Sequence, residues 1–235
     1  MTDRPDDLPL IADELDVLAA LVPLDDQDIV ELGCGAAPLA RALLGRHRAS
    51  RVVGFEVDER QHAKNLQAPQ PGLRFALGGA EAIALPDASA DLALMLKSLH
   101  HVPVAAMARA LAEVARVLRP AGRLYVSEPI YGGALNEIIR LFNDEGVVRA
   151  AAQTALDEAL RGGAWVQEAE RRFAVAVHFR DFADFEQRMM RPTYAEHHID
   201  EATLVAVRGV FEPHCGADGA RFVRPMHARL LRRAG

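Results

Sequence analysis

Glu31-Leu32-Gly33-Cys34-Gly35-Ala36-Ala37-Pro38 is the stretch on which the fold turns. The short apolar run Ile29-Val30-Glu31-Leu32 leads into it, and beyond it Leu39, Leu43 and Leu44 fall on one side of a helical segment. The order is strand, tight turn, helix. Glycine at 33 and 35 allows the turn and leaves no Cβ between the backbone N–H groups and a ligand. Glu56, which closes the next apolar run Arg51-Val52-Val53-Gly54-Phe55, lies 21 residues after Gly35. That is close to the roughly 20-residue spacing at which an acidic residue bonds ribose hydroxyls. Together these residues point to a nucleoside-containing ligand; the plainer alternative is a strand end with a solvated glutamate. The third position of a G-x-G-x-x-G fingerprint falls on Pro38, which suits a first helical turn but not the close helix–strand packing that glycine serves there. Nicotinamide and flavin dinucleotides are therefore disfavoured, and an oxidoreductase rests on Gly33, Gly35 and Glu56 alone.

Outward from this stretch the pattern repeats. Leu10, Ile11, Leu15, Leu18 and Leu21 or Val22 recur at helical spacing, which predicts a leading helix over 10–24 that stops at Pro23. Strands are predicted at 29–32, 51–55, 73–77, 91–96 and 123–127, with Asp58 capping the helix that runs through His62 and Leu66. Met107, Leu111, Val114 and Leu118 mark one face of a further helix, ended by Arg119-Pro120-Ala121-Gly122. Such β-α alternation is the sequence form of a parallel sheet covered on both faces. Beyond Pro129 the rhythm becomes helical, at 135–142 and 147–160. Phe173, Val175, Val177 and Phe179 then alternate as a sixth strand over 172–180, a helix follows at 199–211, and 220–231 supplies a seventh strand. The expectation is an α/β fold: a doubly wound, mostly parallel, seven-stranded Rossmann-like sheet in a single domain over 1–235, with a helical insertion at 132–168 after strand five. That insertion would serve as a lid over an acceptor pocket or as a homodimer interface.

Composition bounds the partners. A net charge of −6 with 26% charged residues gives no overall pull toward nucleic acid or anionic membrane, so a small-molecule partner is expected and nucleic acid is not. The opening Met-Thr-Asp-Arg-Pro-Asp-Asp is too acidic for a secretory leader, and no apolar run approaches the about 20 residues of a membrane span, which suggests a cytoplasmic protein. Cys34 and Cys215 stand far apart, in no metal-binding pattern. Tyr194, His197, His198, His178, His214 and His227 are scattered without ligand spacing, and no metal is expected.

In detail, Glu31-Leu32-Gly33-Cys34-Gly35 resembles the first motif of class I S-adenosylmethionine-dependent methyltransferases, in their type 11-like, small-molecule branch. The likeness continues through Val52-Val53-Gly54-Phe55-Glu56, Gly78-Gly79-Ala80-Glu81 to Leu85-Pro86-Asp87-Ala88-Ser89-Ala90-Asp91, Leu99-His100-His101-Val102 and Val117-Leu118-Arg119-Pro120-Ala121-Gly122. Five motifs in order cover about residues 27 to 128. The resemblance implies S-adenosylmethionine as cofactor and S-adenosylhomocysteine as product. It implies that Glu31 organises the loop near the amino-acid end, that Gly33, Cys34 and Gly35 approach the methionine portion, and that Glu56, with Val57 beside it, holds the ribose. Gly79 stands where the family usually has an acidic residue that reaches the adenine amino group, so that contact would pass to the Ala80 backbone, to Glu81 or to water. Ala37 and Ala121 replace two of the family's glycines.

Methyl transfer mainly requires alignment, with a base where the acceptor must lose a proton. Open α/β sheets bind ligands at the carboxyl ends of their strands, which here carry Lys97, Ser98, His100 and His101 after the fourth predicted strand and Glu128 and Tyr131 after the fifth. His101 is the chosen base because imidazole titrates near neutrality; His100, Lys97 and Tyr131 are the other catalytic candidates. The alternative for the histidine pair is packing or contact with cofactor backbone. Lys97, also a cofactor-side candidate, would anchor an acceptor anion or form a salt bridge, with Glu128 as its partner. Cys34 is assigned to packing in the cofactor loop. Two other functions stay open: a binding or scaffold protein that keeps the fold without turnover, and an RNA or protein methyltransferase.

Overall fold

The protein is described by a computed structural model over residues 8–48, 51–192 and 198–234. It divides into two compact units. The first comprises Asp13–Glu128, Ala150–Arg171 and Ala228–Gly235, the second Met1–Ala12, Pro129–Arg149 and Arg172–His227.

In the first unit, strands β2 (Asp28–Leu32), β3 (Arg51–Glu56), β4 (Leu73–Leu77), β5 (Ala90–Leu96) and β6 (Leu118–Pro129) lie in the order β6-β5-β2-β3-β4, every neighbouring pair parallel. The order reverses at β2. Its chain continues through the glycine turn on one side of this reversal, the crevice where open α/β sheets bind ligands. Ile29, Val30 and Leu32 of β2 are buried, as expected of a central parallel strand covered on both faces. Helices α1 (Glu14–Ala19), α2 (Pro38–Arg46), α3 (Glu59–Leu66) and α4 (Met107–Val117) belong to this unit. On α4 the residues Met107, Ala110, Leu111, Val114 and Val117 are buried, at the spacing of one helical face. They join a core with Val30, Phe55, Met95, Leu124 and Val126.

Local chemistry sets the helix starts. Asp13 accepts from the Leu15 amide at 2.9 Å to cap α1, and Asp58 accepts from Arg60 at the same distance to cap α3. Pro38 opens α2, where its missing N–H costs nothing. The expected leading helix is shorter than its periodicity suggests. Leu10 and Ile11 form instead a two-residue strand, β1, paired in parallel with Ala174 and Val175 of β7 (Trp165–Phe179), and the Asp13 cap delays the helix to Glu14.

In the second unit, α5 (Ala134–Ile139), α7 (Phe182–Phe185) and α8 (Glu201–Phe211) pack with β7 and β9 (Gly219–Arg233) around Phe179, Phe182, Phe185, Phe211 and Phe222. The Phe185 and Phe211 rings are 4.8 Å apart, and Phe179 meets Phe185 edge-on at 5.1 Å. A two-residue strand β8 (Cys215–Gly216) pairs antiparallel with β9. The α/β class and mostly parallel sheet agree with expectation; among the described residues the seven predicted strands are joined by two, β1 and β8, too short to leave a periodicity in sequence. Within 132–168, α5 and α6 (Gly146–Arg161) are helical, while Trp165–Glu168 already belongs to β7. Alternation there is broken by Gln167-Glu168, which answer other side chains: Glu168 accepts from Arg123 and Arg232, and Gln167 from Arg229.

Candidate functional site

The turn after β2 is shaped by what lies beneath it. Gly33, at φ +74°, comes so close to Ser98 that a Cβ at 33 would stand 2.7 Å from the serine Cβ. Ser98 is itself fixed, its hydroxyl donating to the Leu32 carbonyl at 2.7 Å. The amides of Gly33 and Cys34 both donate to the Phe55 carbonyl at 2.9 Å, which ties the turn to β3. At Gly35 a Cβ would meet nothing within 4 Å, so the turn faces open space there. Ala37 retains a left-handed conformation, φ 56°, despite its Cβ, and Ala121 does so at φ 63°; each costs about 1–2 kcal/mol relative to glycine.

Three carboxylates close the strand ends. Glu31 is only 4% exposed, and among the described residues its Oε2 has no hydrogen-bond partner. Burial pushes its carboxyl up to about 8 and the Glu56 charge adds to the rise, while the Ala40 amide and Lys97 oppose it. Glu56 is 6% exposed and is engaged by backbone: Oε1 accepts from Val57 and Asp58 at 2.8 and 2.9 Å, Oε2 from Gly35 at 2.7 Å. Since a carboxylate offers roughly four lone-pair sites, one acceptor site remains on Oε2. Glu128, at the end of β6 and 1% exposed, accepts from the Leu99 amide at 2.9 Å and pairs with Nδ1 of His100.

His100 and His101 sit on one 3-10 turn, Leu99–His101, directly after β5 and Ser98. His100 is buried beside Glu128, His101 is exposed, and their rings are 4.0 Å apart. Lys97 takes φ 56° and donates its amide to the Ser127 carbonyl at 2.7 Å. Its ammonium stands 4.0 Å from Glu14 on α1, rather than against the expected Glu128, whose oxygens are committed to Leu99 and His100. Tyr131 belongs to the second unit, where its hydroxyl donates to Asp144 at 2.9 Å and that carboxylate also caps the Gly146 amide. Val57 is 62% exposed, an apolar surface next to Glu56. The Gly79-Ala80-Glu81 turn follows β4, closed by the Ala82 amide donating to Gly79 at 3.3 Å. Tyr194 and His197 lie outside the described residues.

Cys34 is buried, and desolvation, with the charges of Glu31 and Glu56, pushes its thiol up to about 12. It therefore packs rather than reacts. Two participants carry no sequence signal. Asn65, in the last turn of α3, donates to the Gly35 carbonyl at 2.8 Å from a buried position. Glu14 approaches Lys97 and accepts from the Tyr125 hydroxyl at 3.2 Å. Both read as helix-surface residues until the chain folds.

These residues suit a ligand that combines a cation, a diol and a flat apolar ring: an unpaired buried carboxylate, an acceptor site on Glu56, an uncrowded glycine turn and an exposed valine. Residues 30–126 match the family model described as a methyltransferase domain. The chain is 36% identical over 120 residues to a phthiotriol/phenolphthiotriol dimycocerosates methyltransferase of Mycobacterium ulcerans, an alignment covering 47% of this chain and 40% of that protein. It is 34% identical over 119 residues to the 27-O-demethylrifamycin SV methyltransferase of Amycolatopsis mediterranei, covering 48% and 43%. The matches thus span less than half the length of these curated relatives. In fold, it is similar to an S-adenosylmethionine-dependent methyltransferase from Mesorhizobium loti, with a TM-score of 0.53 at 20% identity over 94% of this chain and 98% of that one. The glycine turn at the sheet reversal and Glu56 bound to it both lie within the matched residues 30–126, so sequence match and site geometry together support a class I S-adenosylmethionine-dependent methyltransferase.

Proposed function

We propose that the protein transfers a methyl group from S-adenosylmethionine to a small-molecule acceptor. The observation that carries this reading is Glu31: a buried carboxylate oxygen without a partner, beside an open glycine turn, calls for a cation, and the amino-acid end of this cofactor brings an ammonium. When bound, the cofactor supplies a methyl carbon activated by a sulfonium leaving group. Glu31 holds the ammonium, Gly33 and Gly35 admit the methionine portion, and the remaining Oε2 site of Glu56 accepts from a ribose hydroxyl. On the acceptor side, His101 takes the proton that an acceptor must lose. His100 and Glu128 act as positioning residues, since Glu128 orients His100 and the His100 ring packs at a tilt against His101. Lys97, exposed and only 4.0 Å from Glu14, attracts an acceptor anion. The names of the two curated relatives, which specify dimycocerosates and a rifamycin, support a small molecule over nucleic acid or protein, as does the net charge of −6. Among the described residues, no helix is long and apolar enough to cross a membrane.

Isothermal titration with S-adenosylhomocysteine and NAD tests the cofactor. Binding of the adenosyl ligand alone, weakened at least about tenfold by Glu56→Ala through loss of charge-assisted hydrogen bonds, is the expected result. Binding of NAD alone, or of neither, overturns the proposal. Once an acceptor is found in a panel of hydroxylated small molecules, His101→Gln is expected to lower kcat by roughly 10²–10⁴ and remove the limb of the pH profile that reports the base.

A further inference from the structure

We propose, resting on the methyl-transfer reading above, that the second unit holds a subsite for a neutral carbonyl oxygen of the acceptor, with the side-chain amide of Asn136 as its hydrogen-bond donor. The place is a half-open recess of about 230 Å³, mouth included, lined by Ile130, Leu135, Asn136, Ile139, Arg149 and Val223. Every one of these residues belongs to the second unit. Ile130 is the first residue of the chain beyond β6, the strand whose end carries Glu128, and open α/β sheets bind ligands at such strand ends. Local bonds build the recess. The Ile130 amide donates to the Pro225 carbonyl of β9 at 2.9 Å, and Gly133, at φ 87°, turns the chain into α5. Leu135 and Ile139, both buried and four residues apart, form an apolar wall, with Asn136 on the same side of the helix.

The amide has one orientation open to it. Nη1 of Arg149 stands 3.0 Å from Oδ1 of Asn136 and can only donate, so that atom is the amide oxygen and both N–H groups of Nδ2 are left for another acceptor. Asn136 is 7% exposed, and among the described residues its Nδ2 has no hydrogen-bond partner. A buried donor without an acceptor is destabilising, so the residue calls for an oxygen that arrives with a ligand. Charge decides which oxygen. The Arg149 guanidinium meets the Glu145 carboxylate at 2.6 Å, both mostly buried, and the pair adds no net charge to the recess. Arg224, also on the lining, is part-exposed and its charge is screened by water. A carboxylate entering here would give up its hydration for a guanidinium already neutralised, whereas a carbonyl satisfies the amide and brings no charge. The depth of the recess takes one group of about the size of a water molecule. The carbonyl oxygen enters, and the apolar body of the acceptor rests at the mouth on Val223, which is exposed. This carbonyl is a second group of the acceptor, distinct from the anion drawn by Lys97.

The test follows the full chain by nuclear magnetic resonance while acetophenone, ethylbenzene or benzoate is added. Affinities are read from the Leu135 and Ile139 methyl signals, and the side-chain amide pair of Asn136 shows whether the oxygen reaches it. Acetophenone is expected to shift that pair saturably and to bind about tenfold tighter than ethylbenzene, which has its shape without the acceptor, and tighter than benzoate. In Asn136→Asp one oxygen keeps the bond to Arg149 while the other replaces the donors, so the preference for acetophenone over ethylbenzene falls to within about twofold. Equal affinity of wild type for acetophenone and ethylbenzene means that the amide serves water only and overturns the proposal. Tighter binding of benzoate overturns it as well, since the recess is then an anion site. Both comparisons are made on wild type and stand whether or not Asn136→Asp folds. Titration of the same sample with S-adenosylhomocysteine separates the two readings. Cofactor binding without a carbonyl preference overturns the subsite alone; a carbonyl preference without cofactor binding overturns the methyl-transfer reading, and the acceptor role of the recess with it.

Discussion

Buried charge gathers at the strand ends of the first unit, where Glu31, Glu56 and Glu128 are almost wholly removed from water, whereas the centre of the second unit is a cluster of five phenylalanines. The two cores solve different problems. Phenylalanine edges and faces satisfy each other without a ligand, and Arg188 and Arg208 close the cluster over Phe179 and Phe182 at 4.6 and 4.3 Å. A buried carboxylate is stable only when donors surround it or when it is protonated. Glu56 and Glu128 have their donors within the chain; among the described residues, Glu31 has an oxygen without one. Three such groups at the edge where parallel strands end mark a place built for binding, and the phenylalanine cluster marks one built for stability.

The sharpest way to break this contrast is to damage each core and ask which property fails. Phe211→Ala removes a fully buried ring and is expected to destabilise by about 3–5 kcal/mol, measured by chemical denaturation. Below its unfolding transition the affinity for S-adenosylhomocysteine should be unchanged. A parallel loss of affinity would show that the two cores are not functionally separate.

Gly33→Ala is expected to be smaller in stability and larger in function. Its Cβ would meet Ser98 at 2.7 Å in a left-handed backbone, for about 2–4 kcal/mol from overpacking and conformation together. Here binding should weaken well beyond the effect of reduced stability, since the turn itself must move. Titration on the folded variant at low temperature separates the two.

Glu31 gives the most diagnostic effect. Burial holds its folded-state carboxyl at about 8, well above the ordinary glutamate range, so the folded protein keeps a proton that the unfolded chain releases between the two. The resulting stability is fully present below the unfolded pKa and is lost as pH rises through about 8. Ligand-free wild type should therefore lose melting temperature from pH 5 to pH 8 more steeply than Glu31→Gln, and saturating S-adenosylhomocysteine should flatten the wild-type curve. Identical slopes in both proteins would mean that Glu31 is solvated or paired in solution.

Much of the first unit was legible because parallel strands, their turns and the intervening helices each leave local marks. Strand β4 matched its apolar run residue for residue, and Pro38 and Asp58 marked helix starts that the structure retains. The leading helix was overestimated because Leu10 and Ile11 are apolar at a spacing that suits either element, and only pairing with Ala174 and Val175, more than 160 positions away, chooses the strand. Glu168 and Gln167 interrupt the alternation of β7 for the same reason: their partners Arg123, Arg232 and Arg229 are remote in sequence.

At the site, Glu31, Gly33, Gly35 and Glu56 could be singled out from type and spacing, since a turn without Cβ atoms and an acid one strand later serve a local geometric need. Sequence alone thus determined the α/β class, the glycine turn and the acidic strand ends, all consequences of short-range periodicity and steric demand. Tertiary structure alone decided which donor each carboxylate received. It gave His100 rather than Lys97 to Glu128, brought Glu14 to Lys97 and Asn65 to Gly35, and left an oxygen of Glu31 unpaired. Hydrogen-bond partners are set by which strand ends and helix faces converge, and that convergence follows from burying the apolar faces of the whole unit rather than from any neighbouring residue.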